Sequence, residues 1–227
     1  MRHNIVTPFI LFCSICLLLT GCTIHNKAPS QRKYGFQPPM KELYWGMSLE
    51  EIEKTLNIKN GVDGVTYDYE KPITIVTLKN KIKEFGYNAT VSLEICDKPS
   101  EDWFPYKSSY LTYVSLTYKN VDGNKIKDHI NKLYGTGNDW VDIRKTTCTT
   151  WLSGDKIKDI KPDVKKKLKN YWDLLAKHLD YPKNGSISPV KKSNDAVNYI
   201  TLRYSKEGAG VSFSGDTTVQ INQITHK

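Results

Sequence analysis

The sequence predicts an α+β fold: an antiparallel sheet with two helices on one face, and a third helix inserted. Three observations carry the prediction. Short segments in which apolar and polar residues alternate recur along the chain, the pattern of half-buried strands. Two short apolar stripes of helical period, each with its own start or stop residues, precede groups of these segments. A third helical stripe, rich in lysine, interrupts the last group.

The first helix opens at Trp45-Gly46-Met47-Ser48-Leu49-Glu50-Glu51-Ile52. Ser48 can cap it and Glu51 can reach back, a capping box, with Met47 and Ile52 at the staple positions. Leu49, Ile52 and Leu56 share a face, and the helix is expected to finish near Asn57. Strands are expected at Val65–Tyr69, Ile73–Leu78, Val91–Ile95 and Val114–Tyr118. A second helix runs from about Asn124 to Tyr134, with Ile126, Ile130 and Leu133 as its stripe and Gly135 as its stop. Strand signals resume over Val141–Leu152, Ala196–Tyr204 and Gly210–Phe213, with a short edge at Val219–Ile221. Between them, Pro162 and Asp163 suit the first turn of a third helix. Its stripe is Val164, Leu168, Tyr171, Leu175 and Leu179. No stretch of the sequence repeats another.

The chain begins with Arg2, an apolar run from Ile5 to Leu19, and Leu19-Thr20-Gly21-Cys22. Such a run, too short to span a bilayer and closing on small residues, is a secretory signal. Leu-Thr-Gly-Cys resembles the lipobox of bacterial lipoproteins. The resemblance implies cleavage before Cys22, lipid on its thiol, and a protein held on a membrane outside the cytoplasm by acyl chains. The chain then divides into a signal peptide (1–21), a lipidated tether (22–42) and one α+β domain (43–227) with a helical insertion near 155–195. The tether reading rests on Pro29, Pro38, Pro39 and the lack of any apolar period. Its twenty residues reach at most ~65 Å.

The order of elements carries a second resemblance. Trp45-Gly46-Met47-Ser48, then Leu133-Tyr134-Gly135, Trp151 and Tyr199-Ile200-Thr201-Leu202-Arg203-Tyr204 look like a pattern of bacterial envelope lipoproteins and exported domains. Their folds are akin to β-lactamase inhibitor protein and to the small lipoprotein of the outer-membrane β-barrel assembly machine. The resemblance covers residues 43–152 and 196–214 and implies two helices on one face of an antiparallel sheet. The helix near 162–179 departs from it. These motifs start and stop helices and do no chemistry.

Net charge is +9, from 33 basic against 24 acidic residues, and +8 without Arg2; 29 of the 33 basic residues are lysine. Nucleic-acid readers favour arginine for bidentate contacts to bases, so a nucleic-acid partner is not expected. The excess suits anionic lipid headgroups, wall polymers or an acidic protein, or is an ordinary solvated surface. Its dense part is Lys165-Lys166-Lys167 with Lys169. Of five cysteines, Cys13 and Cys16 leave with the signal and Cys22 takes the lipid. Cys96 and Cys148 remain, as one disulfide or two thiols. Neither has ligand spacing for a metal, and no cofactor motif is present. A Cys-His wall hydrolase is the enzymatic alternative, with His129 and His178 as the helix histidines. A nucleophilic cysteine usually starts a helix, whereas both cysteines fall in strand patterns. The loop Glu101–Tyr110 gathers Trp103, Phe104, Tyr106 and Tyr110, side chains typical of interface hot spots. The reading is therefore a membrane-anchored, non-catalytic envelope lipoprotein that binds a protein or an anionic envelope polymer. An inhibitor or immunity-type protein for an exported enzyme is the alternative within binding.

Overall fold

Eight strands hydrogen-bond into one antiparallel sheet in the computed structural model of the chain, which describes residues 34–70, 73–96, 110–178 and 196–225. They are β1 (Val65–Glu70), β2 (Ile73–Glu84), β3 (Tyr87–Cys96), β4 (Tyr110–Lys119), β5 (Asn138–Val141), β6 (Thr147–Leu152), β7 (Tyr199–Tyr204) and β8 (Gly208–Ser214). Their order across the sheet is β1-β2-β3-β4-β8-β7-β6-β5. Helix α1 (Leu49–Leu56) precedes the first four strands, and α2 (Gly123–Tyr134) precedes the second four. The same order, a helix and then a four-stranded meander, thus occurs twice. The two halves meet where β4 pairs with β8. The repetition lies in the topology and is not visible as a repeated sequence.

Period-two alternation builds the core, because one face of every strand must leave water. Val76, Leu78, Val91, Leu93, Val114, Leu116, Ile200, Leu202, Val211 and Phe213 are buried on one sheet face. Ile52 of α1 and Ile126 and Ile130 of α2 join the same cluster. Leu133, expected in the α2 stripe, is instead 63% exposed.

The capping box forms as the sequence predicts. Ser48 Oγ accepts from the Glu51 amide at 3.2 Å, and Glu51 Oε2 accepts from the Ser48 amide at 2.8 Å. Asn57 closes α1 in the left-handed region at φ 49°. Just upstream, Gly46 adopts φ +97°, a conformation that costs a side-chain-bearing residue strain. It lets the chain bond to β4 on both sides: the Gly46 amide donates to Leu111 O at 3.0 Å, and the Leu111 amide donates to Met47 O at 2.7 Å.

Helix α3 (Pro162–His178) is an insertion in the literal sense. β6 and β7 are hydrogen-bonded neighbours, and an isolated bridge between Lys156 and Ala196 closes the root of the excursion between them. Ile160, Val164 and Leu168 pack with Val197 and with Ile221 of the last helix, forming a second, smaller core.

Two expectations are corrected. Val219–Ile221 is no edge strand; it lies inside helix α4 (Asp216–Thr225). The tether does not run to residue 42. Residues 34–43 form a strap seated on the domain, with Met40 and Leu43 buried and Phe36 packed on the main core.

Candidate functional site

The face of the sheet opposite the core carries a pattern that only the register reveals. Thr66, Thr77, Ser92, Ser115, Ser212, Thr201, Thr150 and Asn138 are successive Cα partners across all eight strands. Seven hydroxyls and one amide thus lie in a single line. Seven inter-strand steps of ~4.8 Å make it ~33 Å long. It crosses the β4–β8 junction and so belongs equally to both halves. At its β5 end, Trp140 Nε1 donates to Thr150 Oγ1 at 3.0 Å, and Thr150 Oγ1 lies 3.3 Å from Thr201 Oγ1.

Larger side chains flank the line on the same face. Glu94 pairs with Tyr113 across β3 and β4, Leu152 pairs with Tyr199 across β6 and β7, and Arg203 pairs with Cys148. Tyr199 is 40% exposed. Burial raises the phenol of Tyr113, with Glu94 and Tyr199 adding to the effect, while the Ser212 hydrogen bond and Arg203 oppose it. Burial and then Asp216 raise Tyr199, opposed by a hydrogen bond with Ser214. Burial also raises Glu94. Both phenols therefore stay protonated through the neutral range and serve as hydrogen-bond donors. Thr150 is buried beneath Trp140; the other members of the line offer donors and acceptors, and the flanking tyrosines add aromatic area, which is chemistry for recognition.

The sequence-predicted residues fall elsewhere. Cys22, Trp103, Phe104 and Tyr106 lie outside the described residues. Tyr110, grouped with them as a contact residue, is corrected: it is the first residue of β4, only 1% exposed, and pairs with Cys96. Its position on the bulged β3–β4 ladder turns the ring inward. Of the two alternatives left open for Cys96 and Cys148, the structure excludes a bridge between them. The two stand on β3 and β6, four strand positions apart, and are not bridged. Four steps separate them by ~19 Å, far beyond the reach of a disulfide. Burial, and then Asp142, raise the Cys148 thiol, and its Sγ donates to Thr146 O at 3.6 Å. His129 stands over the β2–β3 turn, edge-on to the Tyr87 ring, and is remote from β6. His178 ends α3, and its side chain is outside the description. Among the described residues no cluster has the makings of a metal site, and no helix is long and apolar enough to cross a membrane.

The strap is the second organised feature. Asn198, 3% exposed, holds Phe36 as a neighbouring strand would: its Oδ1 accepts from the Phe36 amide, and its Nδ2 donates to Phe36 O, both at 2.8 Å. Trp45 Nε1 donates to the same Phe36 oxygen at 2.7 Å. The Gly35 amide donates to Asp155 Oδ2 at 2.7 Å, and Thr218 Oγ1 donates to Tyr34 O at 3.3 Å. Gly35 sits at φ +66°, where a Cβ would overlap the Asn198 amide. No signal for this strap exists in the local sequence, because its partners lie 120 to 184 residues away.

No family model, curated protein or solved structure matches the chain.

Proposed function

We propose that the protein is an exported lipoprotein, anchored through Cys22, whose domain is a non-catalytic binding module for an envelope protein or polymer. The observation that carries the anchoring is Leu19-Thr20-Gly21-Cys22 at the end of the apolar run. The binding surface is the hydroxyl line with Tyr113, Tyr199, Glu94 and Arg203 beside it. The non-catalytic reading is supported by the cysteine chemistry. A nucleophilic thiol needs a lowered pKa and an adjacent base. Cys148 is shifted the other way, and His129 stands on α2 over the β2–β3 turn, beside Tyr87.

Two measurements test this. Cys22→Ser should abolish fatty-acid incorporation and move the protein out of the tightly held membrane fraction. Retained acylation would overturn the anchor. A photo-crosslinking side chain at Ser212, the centre of the hydroxyl line, should capture a defined species in intact cells. The same probe at Lys54 on α1 should not. Equal labelling from both positions would show that the sheet face is not the binding surface.

A further inference from the structure

Six of the hydroxyls on the sheet face form an open run. Thr66, Thr77, Ser92, Ser115, Ser212 and Thr201 stand one on each of β1, β2, β3, β4, β8 and β7. Thr66 is exposed and the other five are half-buried. Five inter-strand steps make the run ~24 Å long. At its far end the half-buried Trp140 lies over Thr150.

Beside this run, Gly210 is a glycine that the fold does not require. Glycine weakens a strand, and where it occurs it marks a bulge, a tight bend, or a place where another backbone or a ligand comes close. Gly210 sits in unbroken register, paired with Thr117 on β4 and Arg203 on β7. Its backbone does not enter the left-handed region. A Cβ there would meet no atom of the described residues within 4 Å. Gly208, two residues earlier on β8, is different: a Cβ there would come within 2.9 Å of Tyr118 O. The space over Gly210 is room for a ligand, and it adjoins Ser212.

The chemistry around the run selects the occupant. None of its six members is charged, and Arg203 on one side stands against Glu94 and Asp68 on the other. A polyanion therefore finds no row of cations along it. A protein interface is centred on aromatic or aliphatic anchors, whereas the centre here is Ser115, Ser212 and Gly210. Hydroxyls with phenol rings beside them suit a sugar chain. The hydroxyls exchange hydrogen bonds with it, and the C–H face of a pyranose packs on a ring such as Tyr113 or Tyr199. A β-1,4-linked pyranose chain is straight, and each unit advances it by about the spacing of neighbouring strands. A chain laid along the run therefore keeps step with the sheet.

From this match we infer that the hydroxyl line binds an extended β-1,4-linked glycan, one sugar unit per strand, with Gly210 leaving room for a ring substituent. The inference rests on the sheet-face reading proposed above and names its ligand.

The test is calorimetric titration of the full chain with cellohexaose and with chitohexaose, which share the linkage and differ in carrying hydroxyl or acetamido groups. At least one should bind, with affinity rising from the disaccharide to the hexasaccharide. Maltohexaose, whose α-1,4 linkage coils the chain out of step with the strands, should not. Gly210→Val suits a strand, so the thermal midpoint should hold while binding weakens by about tenfold or more. Tyr199→Ala should also weaken it, and Lys54→Gln on α1 should not. Failure of both β-1,4 hexasaccharides to bind at millimolar concentration, equal binding of maltohexaose, or affinity untouched by Gly210→Val would each overturn the inference. The sheet-face reading is judged separately: capture from Ser212 in cells, with no glycan binding, would keep the face as a binding surface and remove only the sugar.

Discussion

Asn198→Ala removes the clasp of the strap and nothing else of comparable size. The side chain makes three hydrogen bonds: Phe36 N to Oδ1, Nδ2 to Phe36 O, and Nδ2 to Thr218 Oγ1 at 3.3 Å. At ~1 kcal/mol net for each bond, the loss is ~3 kcal/mol. Phe36 O keeps the Trp45 indole, but the Phe36 amide is left without its acceptor, which puts the figure at the upper end of that range. If the strap opens on its own, amide exchange at Phe36 should accelerate by about two orders of magnitude, since 1.4 kcal/mol is about tenfold. If it opens only with the domain, the thermal midpoint should fall by about 6–12 °C, at about 2–4 °C per kcal/mol for this size. Hydrogen exchange and a thermal melt on the same variant separate the two cases. Thr218→Val, which removes one bond to the strap and one to Asn198, should give a smaller shift in the same direction. A variant with unchanged exchange at 34–40 and an unchanged midpoint would refute the reasoning, because the strap would then be held by burial of Met40 and Leu43 alone.

Ser48→Ala should cost ~1 kcal/mol by opening the capping box, read as a drop in thermal midpoint; an unchanged midpoint would mean the box adds nothing in solution. The alkaline limb of stability should fall early: the phenols of Tyr67, Tyr113, Tyr118 and Tyr199 are raised, each chiefly by burial. Above the ordinary phenol value near 10, the unfolded chain sheds protons that the folded one keeps. The unfolded state then binds fewer protons, and stability declines as pH rises through the folded values. Tyrosinate absorbance against pH should show a late-titrating group of phenols whose ionisation coincides with unfolding, and ionisation of all tyrosines near 10 without unfolding would contradict it.

The parts of this fold legible in the sequence are those fixed by neighbours within a few residues. α1 is announced by Ser48 and Glu51, α2 by Ile126, Ile130 and Gly135, and the strands by their alternation. What escaped reading is held from a distance. α4 has the composition of a strand, Thr217, Thr218, Val219, Ile221, Ile224 and Thr225, because β-branched residues are poor helix formers. It is helical because the tertiary setting outweighs propensity. Ile221 belongs to the core under α3 and Val219 to the main core, and Gln220 Nε2 donates to Asp216 Oδ2 at 2.7 Å. The strap reads as a tether because Pro38 and Pro39 interrupt any period, and its contacts are hydrogen bonds to residues far along the chain. The hydroxyl line is the least legible feature. Each member is simply the polar half of an alternating strand, and the line appears only once all seven pairings are known.

The strap has a mechanical consequence. A pull on the chain from residue 33 meets the domain at Tyr34, and the load passes into Asp155, Asn198 and Thr218 before it reaches the sheet. On the anchoring proposed above, the stretch of chain between the strap and Cys22 is eleven residues, ~36 Å at full extension. Should the strap's contacts yield, residues 34–42 pay out a further ~30 Å, while Gly46 and Met47 keep their bonds to Leu111 at the β4 edge. On that proposal the linker to the anchor has two lengths, set by whether the strap's contacts to Asp155, Asn198 and Thr218 are made.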